Sequence, residues 1–319
     1  MGLARGTRGR DSTARWGPTE ALAALSRTMP PVRGKPNLAW RLMRRAERSG
    51  SLEGTWRVRL TDGTRLELPR QSRMTWAVAF TGRYDHAVLA RVADYIEPGT
   101  VALDVGASVG LWTVQLGKIA ASRGALVWAF EPNPANTAWI RRNVALNDLS
   151  GTVTLCEMGL GDTAESLILV GSEYGVGNGA IELDPQAGTE KHPRIPITLG
   201  RLDDVELPAR VSFVKVDVEG YEAAFLRGAA ELIERDRPVI FGEFAAEWLE
   251  RRGENLRTTL RQLVDQGYEV MALSRPRPKQ AWRAAEVVQP HPVDPESSEP
   301  LPDNLLLRHR DHRASPPGG

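Results

Sequence analysis

From residue 100 onward, short apolar runs alternate with segments whose apolar residues recur every three or four positions. The runs predict strands and the periodic segments predict helices. The predicted strands cover residues 101–105, 126–130, 153–158, 211–216, 238–241, 268–272 and 303–308. The predicted helices cover residues 110–121, 135–147, 221–234, 245–252 and 256–266. This alternation predicts a largely parallel sheet with helices on both faces, and an antiparallel arrangement of the last two strands, which no helix joins.

The first hundred residues follow a different pattern. Asp62-Gly63 lies between two short strand-like runs and predicts a hairpin outside the main sheet. Helices are predicted over residues 20–27, 37–48 and 87–95. We expect a basic, partly disordered extension (1–50), a hairpin and helix (51–99), a main domain (100–311) and a disordered tail (312–319).

Two segments of the main domain lack a clear period. Residues 167–194 are rich in glycine and predict a loop or insertion with a short strand, and residues 275–302 predict a long Pro-rich loop. We expect both to help shape the substrate pocket.

Composition excludes several classes of protein. The chain has 319 residues, 41% of them hydrophobic and 25% charged, with a net charge of +1, which argues against nucleic acid or membrane partners. Residues 1–50 are an exception, with eleven Arg and Lys against three acids, and such an arm could contact an anionic partner. There is no apolar run of about 18 residues and no secretory signal. Cys156 is the only cysteine, so we expect a reducing, cytoplasmic location and no internal disulfide.

The first strand of the main domain leads into a glycine-rich turn, Gly106-Ala107-Ser108-Val109-Gly110. A strand, a glycine-rich turn and a helix start form the unit that cradles nucleotides in doubly wound sheets. A dinucleotide site needs a third glycine, which is absent here. Asp104, two positions before Gly106, is instead suited to the ammonium group of S-adenosylmethionine (SAM). Glu131, at the end of the next strand, is placed to accept hydrogen bonds from a ribose. A tight turn that binds no ligand is the structural alternative.

The same turn fits G-x-S-x-G, the nucleophile elbow of hydrolases, with Ser108 as the nucleophile. That alternative requires a histidine after a later strand. Among the later histidines only His309 follows a predicted strand, and a hydrolase would leave Glu131 without a role. We therefore disfavour it.

A second dense stretch surrounds the end of the strand at residues 211–216. Lys215, Asp217, Glu219 and Glu222 lie within eight positions, and crowded carboxylates have raised pKa values unless a cation compensates. Acids in the first turn of a helix are the alternative explanation, most of all for Glu222.

Together these stretches resemble the FkbM family of SAM-dependent methyltransferases. The resemblance covers roughly residues 80–310 and rests on an ordered set of segments: 101–113, 129–134, 143–147, 202–204, 214–222, 228–229 and 237–243. It implies a class I, Rossmann-like methyltransferase fold with a seven-stranded, mainly parallel sheet whose last strand is antiparallel. It also implies methylation of a hydroxyl, often on a sugar or a natural product. Ser108 departs from the family, which usually has Asn in this turn.

The resemblance also implies a role for each matching residue. Asp104, Gly106, Ser108 and Gly110 would hold the methionyl part of SAM, and Glu131 would hold the ribose. Met158, Gly159 and Asp162 would lie near the adenine, and Asp217 and Glu219 would face the sulfonium and the acceptor. Tyr84 and Asp85 would close over the cofactor.

Three hypotheses follow for the chemistry. In the first, Asp217 or Glu219 accepts the hydroxyl proton and Lys215 tunes their charge. In the second, Asp217, Glu219 and Glu243 hold a divalent cation that lowers the pKa of the hydroxyl. In the third, the chain keeps the fold as a binding protein without catalysis. The acceptor and the oligomeric state are left open.

Overall fold

The structure, a computed structural model, describes residues 18–29, 35–49, 52–171, 179–181, 194–274 and 289–312. Its α-helices in these residues are α1 (Pro18–Thr28), α2 (Lys35–Arg48), α3 (Arg73–Thr81), α4 (His86–Val92), α5 (Leu111–Arg123), α6 (Pro134–Leu146), α7 (Glu222–Gly228), α8 (Ala230–Asp236), α9 (Ala246–Arg251) and α10 (Leu256–Asp265). Its strands there are β1 (Thr55–Arg59), β2 (Arg65–Pro69), β3 (Val101–Val105), β4 (Leu126–Phe130), β5 (Val153–Cys156), β6 (Gly159–Leu160), β7 (Glu165–Gly171), β8 (Gly179–Ile181), β9 (Arg194–Gly200), β10 (Val211–Val216), β11 (Val239–Glu243), β12 (Tyr268–Ser274), β13 (Gln289–Pro292) and β14 (Asn304–His309).

The main sheet has the strand order β13-β12-β14-β11-β10-β3-β4-β5. Strands β5, β4, β3, β10 and β11 are parallel, and β14 runs antiparallel between β11 and β12. This confirms the predicted mainly parallel sheet with an antiparallel last strand. The short strand β13 adds an eighth strand at the edge, within the segment predicted as a Pro-rich loop. The first half of that segment (275–288) lies outside the described residues.

Helices cover both faces of this sheet. Ala102 of β3 belongs to a core cluster with residues of α3, α4 and α5, whereas Leu103 belongs to a second cluster with residues of α7, α8 and α10. Successive side chains of a strand point to opposite faces, so β3 contributes to both cores and is buried along its whole length. The apolar run that predicted this strand is the consequence of that two-sided burial.

The segment predicted as an irregular loop is more regular than expected. Strands β7 and β9 pair antiparallel from Glu165↔Leu199 to Val170↔Arg194, and β8 pairs with β7. The prediction of a loop or insertion with a short strand over residues 167–194 underestimated the regular structure, because apolar residues of β7 and β9 pack in a small core with Tyr221 and Ala224. Residues 172–178 and 182–193 lie outside the described residues.

The region before the main sheet contains one helix without a predicted counterpart. Helix α3 buries Trp76, Val78 and Phe80, and Trp76 makes an edge-on contact with Trp56 of β1, with ring centroids 4.8 Å apart. Its residues are apolar on most sides, so it shows no helical period. The predicted hairpin is confirmed in β1 and β2, and α1 and α2 lie within two residues of their predicted bounds. The disorder predicted beyond residue 312 concerns residues outside the described part of the chain.

The helix predicted over residues 221–234 is divided into α7 and α8 at Ala229. Gly228, the last residue of α7, lies against β6, and a Cβ atom there would be 1.8 Å from the carbonyl oxygen of Gly161. This close backbone approach needs a glycine, and periodicity alone did not reveal it.

Candidate functional site

The carboxyl ends of three parallel strands bring the predicted residues together. Lys215 of β10 is aligned with Asp104 of β3, and the N–H of Asp217 donates to the carbonyl of Val105. On the other side of β3, the N–H groups of Gly106 and Ala107 both donate to the carbonyl of Phe130, at the end of β4. The glycine-rich turn is therefore held between the ends of β10 and β4, at the edge where such sheets bind ligands.

The turn has a left-handed backbone at three of its five residues. Gly106, Ser108 and Gly110 have φ values of 76°, 51° and 85°. A Cβ atom on Gly106 would be 2.0 Å from the carbonyl oxygen of Asp217, so only glycine fits there. Ser108 is a non-glycine residue in a conformation that Asn and Gly adopt more readily, at the position where the family usually has Asn. Its hydroxyl is buried and has no hydrogen-bond partner among the described residues.

Glu131 is buried beside this turn and is already partly bonded. It accepts hydrogen bonds from the N–H of Ser108 (2.7 Å), the N–H of Asn133 (3.0 Å) and the side-chain amide of Asn136 (3.1 Å). Burial raises the pKa of Glu131 to about 7, although these hydrogen bonds act in the opposite direction. A carboxylate has about four acceptor positions, so about one is left for a ligand.

Lys215 and Asp104 form a buried pair beneath the turn. The Lys215 Nζ atom donates to the carbonyl of Gly106 at 2.8 Å and lies 3.4 Å from Asp104 Oδ1 and 3.7 Å from Asp217 Oδ2. Asp104 also accepts a hydrogen bond from the Thr113 hydroxyl at 2.6 Å. Burial alone would lower the pKa of Lys215, but the carboxylates of Asp104 and Asp217 outweigh it and raise that pKa. Lys215 is therefore a fixed cation that joins the turn to Asp217.

Two adjoining cavities open around this turn. The first cavity has apolar walls and one buried carboxylate, and its lining includes Phe130, Glu131, Asn136, Leu160, Leu199 and Tyr221. The second cavity is wider and more polar, and its lining includes Tyr84, Trp112, Lys215, Glu222, Glu243 and Trp248. Both are lined by Gly106, Ser108, Asp217 and Glu219, which therefore form the boundary between them.

Most predicted site residues line these cavities, but Asp85, Asp104, Gly110, Met158 and Asp162 do not. Asp104 is fully buried against Lys215 and Thr113, so neither cavity supports its predicted contact with the ammonium group of SAM. Gly159 lines the first cavity, whereas Asp162 is bonded to Arg227 with an Nε–Oδ2 distance of 2.9 Å. The side chain of Met158 packs against Gly200 instead. Their predicted place near an adenine therefore has no support from the shape of the first cavity.

Other lining residues were not predicted. Asn136 lies five positions after Glu131, in the first turn of the helix that begins at Pro134. Its place just after the end of a strand was the feature of the sequence that could have identified it. Leu199 and Trp248 lie in segments without a motif, so only the folded chain identifies them.

The geometry of the described residues supports neither the divalent-cation hypothesis nor the hydrolase alternative. Asp217, Glu219 and Glu243 line the second cavity, but no three His, Cys, Asp or Glu side chains of the described residues are grouped so as to hold a metal ion. The divalent-cation version is therefore not supported. No histidine is among the described residues that line either cavity, and His309 lies against Gln266 instead, so the geometry of the described residues gives the hydrolase alternative no support.

Comparison with known proteins assigns the chain to a family. A sequence model of the family described as "Methyltransferase FkbM domain" matches residues 104–270, about half of the chain, and this span includes the turn, Glu131 and Asp217. The chain belongs to the FkbM methyltransferase family. Its main sheet accordingly has the class I methyltransferase fold, as the resemblance implied.

Individual relatives are more distant. "Methyltransferase 1" of Beauveria bassiana (strain ARSEF 2860) is 31% identical over 144 residues, which cover 40% of this chain and 57% of that protein. The FkbM methyltransferase of Methylobacillus flagellatus KT is 17% identical with a TM-score of 0.40, over 79% of this chain and 56% of that one. The Streptococcus mutans protein SMU.1697c, solved in complex with SAH, is 11% identical with a TM-score of 0.38, over 71% of this chain and 98% of that one. The match thus spans a little over half the length of the first two relatives.

Among the described residues, none of the helices combines the length and the hydropathy that a membrane span requires.

Proposed function

We propose that this FkbM-family protein is a SAM-dependent O-methyltransferase that acts on a hydroxylated small molecule, such as a sugar or a natural product, in the cytoplasm. The observation that carries the proposal is the boundary between the two cavities. Asp217 and Glu219 line both, so a carboxylate is available where a cofactor in the first cavity would meet an acceptor in the second. Methyl transfer needs the donor and the acceptor oxygen in line at such a meeting point.

The residues of the site fit SAM. Glu131 has about one acceptor position left for a ribose hydroxyl, and the apolar walls of the first cavity suit a planar base. The close approach at Gly106 and the buried, unpartnered Ser108 hydroxyl suit a polar group held against the turn. When bound, SAM supplies an electrophilic methyl group at its sulfonium sulfur.

The protein's own task is then to orient the acceptor and to remove its proton. The side chain of Asp217 is 41% exposed, and Glu219 is placed by a left-handed backbone with φ 48°. One of these carboxylates would accept the proton of the hydroxyl as its oxygen takes the methyl group and the sulfonium sulfur is released as the thioether of SAH. Positioning contributes about 7–11 kcal/mol in favourable cases, and a general base adds about 10²–10⁴-fold to the rate. Lys215, with its Nζ atom 3.7 Å from Asp217 Oδ2, keeps Asp217 close to the turn.

The test separates cofactor binding from catalysis. The protein is incubated with SAM and a panel of hydroxylated metabolites, and mass spectrometry detects a product heavier by one CH2 unit. Calorimetry measures binding of the cofactor product S-adenosylhomocysteine (SAH). We expect D217N or E219Q to lose about 10²–10⁴-fold in turnover while SAH binding is largely kept. D265N, at an exposed position away from both cavities, is the control.

Two results would contradict the proposal. If both variants keep the turnover of the unmodified protein, neither carboxylate is the base. If SAH binds but no hydroxylated compound is methylated, the alternative of a binding protein without catalysis gains support.

A further inference from the structure

Two asparagines of α6 bond to the outer edge of the β1–β2 hairpin. In an antiparallel pair, alternate residues turn their N–H and C=O groups away from the partner strand. The side chain of Asn147 accepts a hydrogen bond from the N–H of Arg65 at 2.9 Å and donates to the carbonyl of the same residue at 2.6 Å. The side chain of Asn143 makes the same pair of bonds with Glu67, at 2.7 and 3.0 Å. The two side chains therefore take the place of a neighbouring strand.

The spacing of the two asparagines matches the spacing along β2. Four residues of an α-helix advance by about 6 Å, and two residues of a strand advance by about 6.6 Å. Residues four positions apart on α6 can therefore meet residues two positions apart on the strand. The segment 143–147 is part of the family resemblance, and this match gives both of its asparagines a place in the structure.

Within the described residues, Asn143 makes a further contact that has no counterpart at Asn147. Its side-chain amide also donates to the carbonyl of Val109 in the glycine-rich turn, at 3.2 Å. The amide of Asn147 donates instead to the carbonyl of Asn143, one helical turn earlier. Asn143 is fully buried, and its paired bonds with Glu67 fix which end of the amide is the donor. One side chain thus joins the hairpin to the turn.

This bond adds to the support of the turn's backbone. The Phe130 carbonyl and the Glu131 carboxylate accept hydrogen bonds from the N–H groups of its first three residues, 106–108. Asn143 holds the carbonyl of the fourth residue, Val109. A buried carbonyl that loses its donor is costly to leave unpaired. Without the asparagine, the turn would therefore relax away from the geometry that the cavities require.

The region that this contact anchors also contributes to the second cavity. Met74 and Tyr84 line that cavity, and both belong to the segment of residues 52–99 that contains the hairpin. Trp76, two positions after Met74, packs against Trp56 of β1 with ring centroids 4.8 Å apart. The hairpin and this part of the cavity wall are therefore packed together.

We propose that Asn143 is a positioning residue of the cofactor site, which sets the Val109 end of the glycine-rich turn against the β1–β2 hairpin. Asn143 is not among the described residues that line either cavity, so it acts through the turn. The inference rests on the proposed function, because its main readout is binding of SAH. It implies that cofactor affinity depends on a hairpin outside the segment that the family model matches, residues 104–270.

The variants N143A and N147A separate this role from docking of the hairpin. Each removes two hydrogen bonds to β2, and of the two only N143A also removes the bond to Val109. Calorimetry measures SAH binding at a temperature where circular dichroism shows both variants to be folded, so a loss of stability alone would not change the affinity. We expect N143A to weaken SAH binding about tenfold, or about 1.4 kcal/mol, which is the scale of one hydrogen bond. N147A should remain within about twofold of the unmodified protein.

The unmodified protein provides a second test that does not depend on how well a variant folds. Coupling between two sites is reciprocal, so a hairpin contact that strengthens SAH binding is itself strengthened by SAH. Saturating SAH should slow amide hydrogen exchange of Glu67, which is bonded to Asn143, by about tenfold. Exchange of Arg65, which is bonded to Asn147, should change by less than about twofold. NMR follows both N–H groups.

The inference is overturned if N143A binds SAH within about twofold of the unmodified protein, if N147A weakens binding as much, or if SAH leaves the exchange of Glu67 unchanged. Failure of the proposed function has a different signature, namely no SAH binding to the unmodified protein. Exchange of the Gly110 N–H, which is bonded to Ala107 within the turn, then decides. N143A should speed that exchange about tenfold in the protein alone, and an unchanged rate would overturn the inference.

Discussion

Replacing Lys215 with Met tests whether one buried cation holds the site together. The substitution keeps an unbranched side chain of similar length and removes the ammonium group. Asp104, which is fully buried, then keeps the hydrogen bond from the Thr113 hydroxyl, but no other cation of the described residues forms an ion pair with it. The Gly106 carbonyl also loses the hydrogen bond of 2.8 Å that Lys215 donates.

The expected cost follows from the burial of the pair. Removing one member of a buried ion pair costs about 3–5 kcal/mol, because the other charge is left without compensation. We therefore expect K215M to lower the free energy of unfolding by about 4 kcal/mol, a large part of the roughly 5–15 kcal/mol typical of a folded protein. The double variant K215M/D104N removes the stranded charge and should recover most of this loss.

Urea unfolding followed by circular dichroism measures both variants. K118M is the matched control, since Lys118 is half-exposed and donates to Thr64 and to the Asp62 carbonyl at the surface. Its cost should be below about 1 kcal/mol. The reasoning is refuted if K215M costs no more than K118M, or if the double variant is no more stable than K215M alone.

Three further predictions concern the turn and its neighbour. The pKa of Glu131 is about 7, and a ribose hydroxyl donates to its ionised form, so SAH affinity should rise about tenfold between about pH 6 and about pH 8 and level off above that. Calorimetry of the native protein and of E131Q measures this affinity at each pH. A flat profile of the native protein would contradict the prediction. G106A should abolish SAH binding and lower the free energy of unfolding in urea by about 1–3 kcal/mol, because its Cβ would lie 2.0 Å from the Asp217 carbonyl oxygen. G151A is the control, since a Cβ there has no atom within 4 Å and should have little effect. Equal effects of the two variants would exclude the steric clash as the cause. S108N should raise the free energy of unfolding by about 0.5–1 kcal/mol because Asn tolerates the φ of 51° better than Ser, and a loss of stability in the same assay would show that the wider side chain does not fit.

The sequence alone determined the strand ends and the glycine-rich turn on which this site is built. The apolar run of β3, the glycines that follow it and Glu131 after β4 are local signals, because burial on both faces and a left-handed turn each constrain the residue types at consecutive positions. The motif after β10 likewise placed Lys215 and Asp217 at a strand end.

Tertiary structure alone decided which of these residues share a cavity. Helix α3 shows no period because five of its nine residues are buried. Strands β7 and β9 pair across about thirty positions, and such a pairing leaves no local pattern in the sequence. Several contacts of the site join residues that are distant in sequence. Lys215 pairs with Asp104, Asp162 is bonded to Arg227, and Trp248 lines the second cavity. Such contacts depend on strand order and packing, which periodicity within one segment does not encode.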